Sequence, residues 1–142
     1  MNNQQVSEIS PSEWELMRIV WTLGEVTSPR LIELIQRKRN WSESTVKTLL
    51  GRLVKKGLLT TDRSQRPFVY QPLVSEKVAM DDSMTTLFDH LCAMKRGQSL
   101  ADVIRNLELS RSDIEQLQAV LADKLATAPE TVPCDCLPAD VK

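Results

Sequence analysis

The chain has 142 residues, 42% of them apolar, with 18 Lys/Arg against 19 Asp/Glu and a formal net charge of −1. That length makes one ordinary domain or two small ones, and a small half buries only a modest core unaided. No apolar run approaches the roughly 18 residues of a membrane span, and the opening MNNQQVSEIS lacks a basic-then-apolar leader pattern, so a cytoplasmic location is expected.

Charge is unevenly spread. Residues 1–72 hold 11 basic and 7 acidic side chains, whereas 73–142 hold 7 basic and 12 acidic. Within 37–66 the balance is 9 basic to 2 acidic, a patch that invites a polyanion.

The first predicted helix opens at ISPSEWELMRIVWTL. Ser10 is its N-cap, Pro11 its first residue and Glu13 the partner of a capping box. Ile9 and Trp14 stand at the positions of a hydrophobic staple, Leu16, Met17, Val20 and Leu23 form the apolar face, and Gly24 ends it. A short second helix starts at Ser28 and Pro29, carries Leu31, Ile32, Leu34 and Ile35, and stops near Lys38.

The third helix, WSESTVKTLLGRLVKKG, has Ser42 as N-cap, Trp41 and Val46 as staple and Gly57 as a left-handed stop. At 3.6 residues per turn, Val46, Leu49, Leu50, Leu53 and Val54 share one side. Ser44, Thr45, Lys47, Thr48, Arg52, Lys55 and Lys56 fill the other, where every charge after Glu43 is positive. An ordinary solvated face mixes signs. Gly51 lies amid that polar face, at a cost of about 1 kcal/mol against alanine.

Two β-prone runs, LLTTD and PFVYQP, flank RSQR and predict a hairpin with Arg63 and Arg66 at its tip. Three short helices followed by a two-stranded ribbon make a winged helix-turn-helix, which lays its third helix in a major groove and its ribbon against phosphate. The expected DNA-binding residues are Ser44, Thr45, Lys47, Thr48, Arg52 and Lys55 on the helix, with Arg63 and Arg66 on the wing. Such modules also serve as protein-docking domains. The basic arc and the lack of apolar side chains on it favour DNA over protein.

From Ser75 a helix is predicted with Met80, Met84, Leu87 and Leu91 at spacings of 4, 3 and 4, stopping at Gly97 after Lys95 and Arg96. A short segment, SLADVIRNL, follows. A last helix starts at Ser110, with Asp113 three residues on, and bears Ile114, Leu117, Val120, Leu121 and Leu125. Some 50 residues with these stripes and no further layer are expected to bury them on a second copy, giving a two-fold dimer, although some of the side chains belong to an intramolecular core. The expected dimerisation residues are Met80, Met84, Leu87, Leu91, Ile114, Leu117 and Leu121. Pairing also doubles the short site of one winged helix into a palindrome.

The fold class is therefore mainly α, with a winged helix-turn-helix domain at 1–73, a small helical dimerisation domain at 74–126 and a flexible cysteine-bearing tail at 127–142. That tail, PCDCLPADVK at its end, is broken by prolines and offers nothing to bury Cys134 and Cys136, so they read as chemistry rather than packing. Three cysteines suit metal or redox roles better than a disulfide framework. Cys92 and the single histidine, His90, read as packing or surface residues. One histidine, no Gly-rich phosphate loop and no nucleophile paired with a base leave no familiar active site, so no enzyme is expected.

ISPSEWELMRIVW, WSESTVKTLLGRLVKKGLL and FVYQPLVS together resemble the BlaI/MecI/CopY family of bacterial repressors, over nearly the whole stretch from Ile9 to Leu125. The resemblance implies a homodimeric transcriptional repressor that binds a palindromic operator until a signal releases it. In the β-lactam branch the signal is proteolysis in the dimerisation region. In the copper branch a C-terminal CxCx4CxC motif holds zinc in the repressing form, and Cu(I) displaces it.

Cys134 and Cys136 match the first pair of that motif, but the second would begin at position 141, which is Val141. Soft thiolates prefer Cu(I) or Zn(II), and Cu(I) accepts two or three sulfurs where zinc is nearly always tetrahedral. The expectation is Cu(I) as inducer at Cys134 and Cys136. Zn(II) in the repressing form would need both tails of a dimer, or oxygen from Asp135 or Asp140. The expected partners are operator DNA, a second copy and a copper chaperone, with no membrane. The readings kept beside this one are a repressor answering another signal and a protein-docking or copper-buffering module.

Overall fold

The computed structural model describes residues 8–141, so residues 1–7, part of the stretch expected to lack a leader, lie outside the described residues. The elements run α1 (Pro11–Leu23), β1 (Val26–Thr27), α2 (Ser28–Lys38), α3 (Glu43–Lys55), β2 (Leu59–Asp62), β3 (Val69–Pro72), α4 (Glu76–Asp89), a 3-10 turn (Ala93–Lys95), α5 (Arg96–Asn106) and α6 (Arg111–Leu125). The chain divides into two compact units, 1–85 and 86–142.

In the first unit local chemistry fixes the helix ends. The Ser10 hydroxyl accepts from the Glu13 N–H while the Glu13 carboxylate accepts from the Ser10 N–H, a complete capping box, and Gly24 at φ 84° closes α1. Around α3, the Thr45 N–H donates to Ser42 Oγ. At its other end Gly57 N–H donates to the Val54 carbonyl and Leu58 N–H to that of Leu53, the paired bonds of a Schellman motif, with Gly57 at φ 80°. The cap of α2 is Thr27, one residue before the expected Ser28, because Thr27 Oγ1 is the atom that meets the Arg30 N–H.

Leu16, Met17, Val20, Leu31, Ile35, Val46, Leu50 and Leu53 make one core between α1, α2 and α3, sealed by Leu58 just before the sheet, Leu59 in β2 and Ala79 from α4. Ala79 is fully buried and Val74 accepts the Trp21 indole N–H, so the first unit extends past the wing into α4. Leu23 stays 47% exposed, since the last turn of α1 overhangs an open groove beside Leu34 rather than entering the core.

The antiparallel sheet has the order β1-β3-β2. Sequence reading gave the β2–β3 hairpin but not β1, whose two residues pair Val26 with Tyr70 and Thr27 with Val69. The pairing of Ser28 N–H with the Phe68 carbonyl extends this seam and ties the start of α2 to the wing.

The second unit departs most from expectation. The helix from Ser75 ends at Asp89, so Leu91 lies in the following bend. Gly97, expected as a stop, is the second residue of α5 and does not take the positive φ of a terminating glycine. SLADVIRNL belongs to α5, whereas α6 begins at Ser110 as expected, with the Asp113 N–H donating to Ser110 Oγ. No residue of α5 or α6 is buried.

Candidate nucleic-acid interface and thiol cluster

The apolar side of α3 is fixed by Val46, Leu49, Leu50 and Leu53, which turns Ser44, Thr45, Lys47, Thr48, Arg52 and Lys55 outward, all exposed. The Ser42 hydroxyl donates to Thr45 Oγ1 and the Thr48 hydroxyl donates to the Ser44 carbonyl, so both threonines are held against their own helix. Lys47 lies 2.9 Å from the Glu43 carboxylate, whose hydrogen bond and charge hold its ammonium above the usual lysine range. Gly51 sits at the centre of this face, and a β-carbon there would meet nothing within 4 Å. Its lack of a side chain is therefore not required by packing within the chain.

The basic patch is smaller in space than in sequence. Lys38 and Arg39 pair with Glu15, Arg37 pairs with Glu33 at 3.3 Å, and Lys56 turns inward to Glu13 at 2.6 Å and the Glu8 carbonyl at 2.8 Å. Burial by itself raises Glu13, but the Lys56 ammonium and the Ser10 backbone N–H outweigh it and hold that carboxyl below its usual range. Among the described residues, Arg52 and Lys55 on α3 and Arg63 and Arg66 on the wing form no ion pair. The wing tip is organised by Asp62, which accepts from the Ser64 N–H at 2.9 Å, and by Phe68. The Arg63 and Arg66 guanidinium carbons lie 5.6 Å and 5.2 Å from the Phe68 ring centroid, holding two cations side by side.

The expected apolar stripe is solvent-facing in the single chain. Met80, Met84, Leu87, Ile114, Leu117 and Leu121 range from 37% exposed at Leu117 to 57% at Leu87. Leu91, in the bend, is half-buried.

The tail folds back within the second unit. The Cys92 and Cys134 sulfurs are 3.7 Å apart. Cys136 N–H donates to Cys134 Sγ at 3.4 Å, and all three sulfurs lie within 4.8 Å of one another. Between the two tail cysteines, Asp135 accepts from the Ala93 N–H at 2.9 Å and lies 3.7 Å from the Arg96 guanidinium. That N–H, and to a lesser degree Arg96, hold the Asp135 carboxyl below its usual range against burial. Asp135 is thus tied to the residues that follow Cys92. Asp140 is not part of the cluster.

Hydrogen bonding from Cys136 lowers the Cys92 thiol. Burial opposes this, and the backbone amides of Met94 and Lys95 assist without making a full capping bond. Cys136 is pushed up to about 12, first by its hydrogen bonds with Cys134 and Cys92, then by burial and by their charge. Cys92, expected as a packing or surface residue, lies between two helical segments and stands beside the two tail cysteines.

The family model described as penicillinase repressor matches residues 9–123. A Latilactobacillus sakei protein, named as an uncharacterised 16.5 kDa protein in the ptsI 3′ region, is 56% identical over 95% of this chain and 92% of its own. The methicillin resistance regulatory protein MecI of Mammaliicoccus sciuri is 31% identical over 82% of this chain and 95% of its own. A solution structure of monomeric Bacillus licheniformis BlaI in complex with the blaP half-operator is 33% identical, with a TM-score of 0.47, over 51% of this chain and 89% of that one. With a winged helix formed by 11–72 and a family match spanning most of its length, the chain belongs to the penicillinase-repressor (BlaI/MecI/CopY) family of DNA-binding transcriptional repressors.

Proposed function

We propose that this chain is a homodimeric repressor of a palindromic operator, and that Cu(I) binding at the tail cysteines Cys134 and Cys136 releases it from DNA to control copper homeostasis genes. The observation that carries the DNA part is the outward face of α3 and the wing, where Arg52, Lys55, Arg63 and Arg66 have no carboxylate partner among the described residues. Ser44, Thr45, Lys47 and Thr48 lie on the same face, within reach of base edges when α3 enters a major groove. The wing arginines, stacked on Phe68, hold phosphate.

Dimerisation is supported by helices that bury nothing. Isolated helices of 11 and 15 residues are marginal in water, so the stripe through Leu87, Ile114, Leu117 and Leu121 needs a partner surface. A second copy supplies it and places two copies of α3 on a two-fold site. Cu(I) is the soft ion that paired thiolates favour, and a copper chaperone is the expected donor. For release, Cu(I) must bind the DNA-free form more tightly than the operator complex.

The test is footprinting on the chain's own upstream region with Cu(I) titrated anaerobically, for wild type and a Cys134→Ser, Cys136→Ser variant. The expected outcome is protection of a two-fold site that copper removes only in wild type. Equal copper responses would overturn the signal, and operator affinity within tenfold of random DNA would overturn the repressor, since specific sites are favoured by about 10³ or more. Release by cleavage between α4 and α6, insensitive to copper, would instead mark the β-lactam type of signal.

A further inference from the structure

We infer that Cys92, Cys134 and Cys136 of one chain form a single three-thiolate site for one soft monovalent ion, with Cys92 as the third ligand. This rests on the copper-responsive reading and specifies its site.

The geometry is the first support. Three sulfurs around one ion at about 2.3 Å stand about 4 Å apart. The observed cluster has one edge at 3.7 Å and no sulfur pair beyond 4.8 Å, so a bound ion needs only sub-ångström adjustments of these edges. Cys92 and Cys134 are 42 residues apart in sequence, so their meeting is not a neighbour effect.

The second support is that the cluster is anchored independently of its sulfurs. Asp135 Oδ1 accepts from the Ala93 N–H and Asp135 Oδ2 faces Arg96, pinning the middle of the Cys-x-Cys turn onto the residues that follow Cys92. Arg96 in turn donates from Nε to the Leu91 carbonyl at 3.1 Å, which braces the backbone on the other side of Cys92. Such outer contacts orient first ligands and typically govern 10–100-fold in affinity.

The third support is charge and count. Three thiolates with one monovalent cation leave two net negative charges, the Asp135 carboxylate beside them being balanced by Arg96. Among the described residues no fourth cysteine or histidine joins the three to complete the tetrahedron zinc favours, whereas three sulfurs satisfy Cu(I). The site is closed within one chain and does not need the two tails of a dimer to share an ion.

The experiment uses the full chain, reduced and anaerobic, with Cu(I) supplied from a competing chelator of known affinity. Cysteines left reactive are then alkylated with N-ethylmaleimide and located by mass spectrometry. One copper per chain, with Cys92, Cys134 and Cys136 all protected, is the expected result. Cys92→Ser should need more than about 100-fold higher free Cu(I) for half-loading, beyond the effect of losing a supporting group, and Asp135→Asn about 10–100-fold. Cys92 alkylated in copper-loaded wild type as fast as in the metal-free chain would overturn the inference, as would one copper per two chains. Operator binding measured on the same samples separates the two claims. Three protected thiols without DNA release would sink the copper-responsive reading alone, and release with Cys92 still reactive would sink the third ligand alone.

Discussion

The two compact units handle apolar side chains in opposite ways. In 1–85, Leu16, Met17, Leu31, Ile35, Leu50 and Leu53 are essentially inaccessible to solvent, while in α5 and α6 nothing is buried and Leu125 is 77% exposed. Both segments carry amphipathic helices, and Ser110 caps α6 as Ser10 caps α1, so the difference is not one of local helix signals alone. The first brings three helices and a sheet to one centre, and the second has short helices whose stripes find no opposing layer among the described residues. A unit of the first kind folds on its own account. A unit of the second kind takes its stability from what it binds, which on the proposed function would be a second copy and an ion.

The sharpest way to break that comparison is truncation on each side. Leu53→Ala, in the closed core, should cost about 2–5 kcal/mol in urea unfolding followed by tryptophan fluorescence. Trp14, Trp21 and Trp41 all lie in the first unit, so this signal reads that core. Leu121→Ala should change the same curve by no more than about 0.5 kcal/mol while weakening self-association by sedimentation. Similar losses of fluorescence stability in both variants would erase the distinction.

Next in size is the charge inside the first unit. Lys56→Ala leaves the buried Glu13 carboxylate with the Ser10 groups alone and should cost about 1–3 kcal/mol. Because the folded-state Glu13 value lies below 4.5, its contribution is present above that pH and is lost as pH falls through the folded value. Glu13→Gln should therefore flatten the acid limb of the stability–pH curve below about 4.5. An unchanged limb would show that the pair is electrostatically idle.

Two smaller effects refine what the first unit presents outward. Gly51→Ala has open space for its methyl group and should stabilise the fold by about 0.5–1 kcal/mol through helix propensity. It should also lower operator affinity if that space receives the DNA backbone, and undiminished binding would remove Gly51 from the interface. Glu43→Gln frees Lys47 and removes the acid from the basic arc. Since such an exposed, screened pair is weak, operator affinity should rise only about twofold. A fall would mean that Glu43 itself makes a DNA contact.

The sequence by itself determined α1, α3, α6 and the wing, because the signals that set them act over three or four residues: Ser10 with Glu13, Ser42 with Thr45, Ser110 with Asp113, and glycine at 24 and 57. It also determined which side of α3 faces outward, since periodicity fixes a face without reference to anything distant. Tertiary structure alone decided that β1 exists, that Lys56 serves the core rather than the basic face, and that the helix after the wing stops at Asp89 so that Cys92 can meet the tail. Those outcomes join residues 43 or 42 positions apart, as Lys56 with Glu13 and Cys92 with Cys134, and no local spacing encodes a partner at that range.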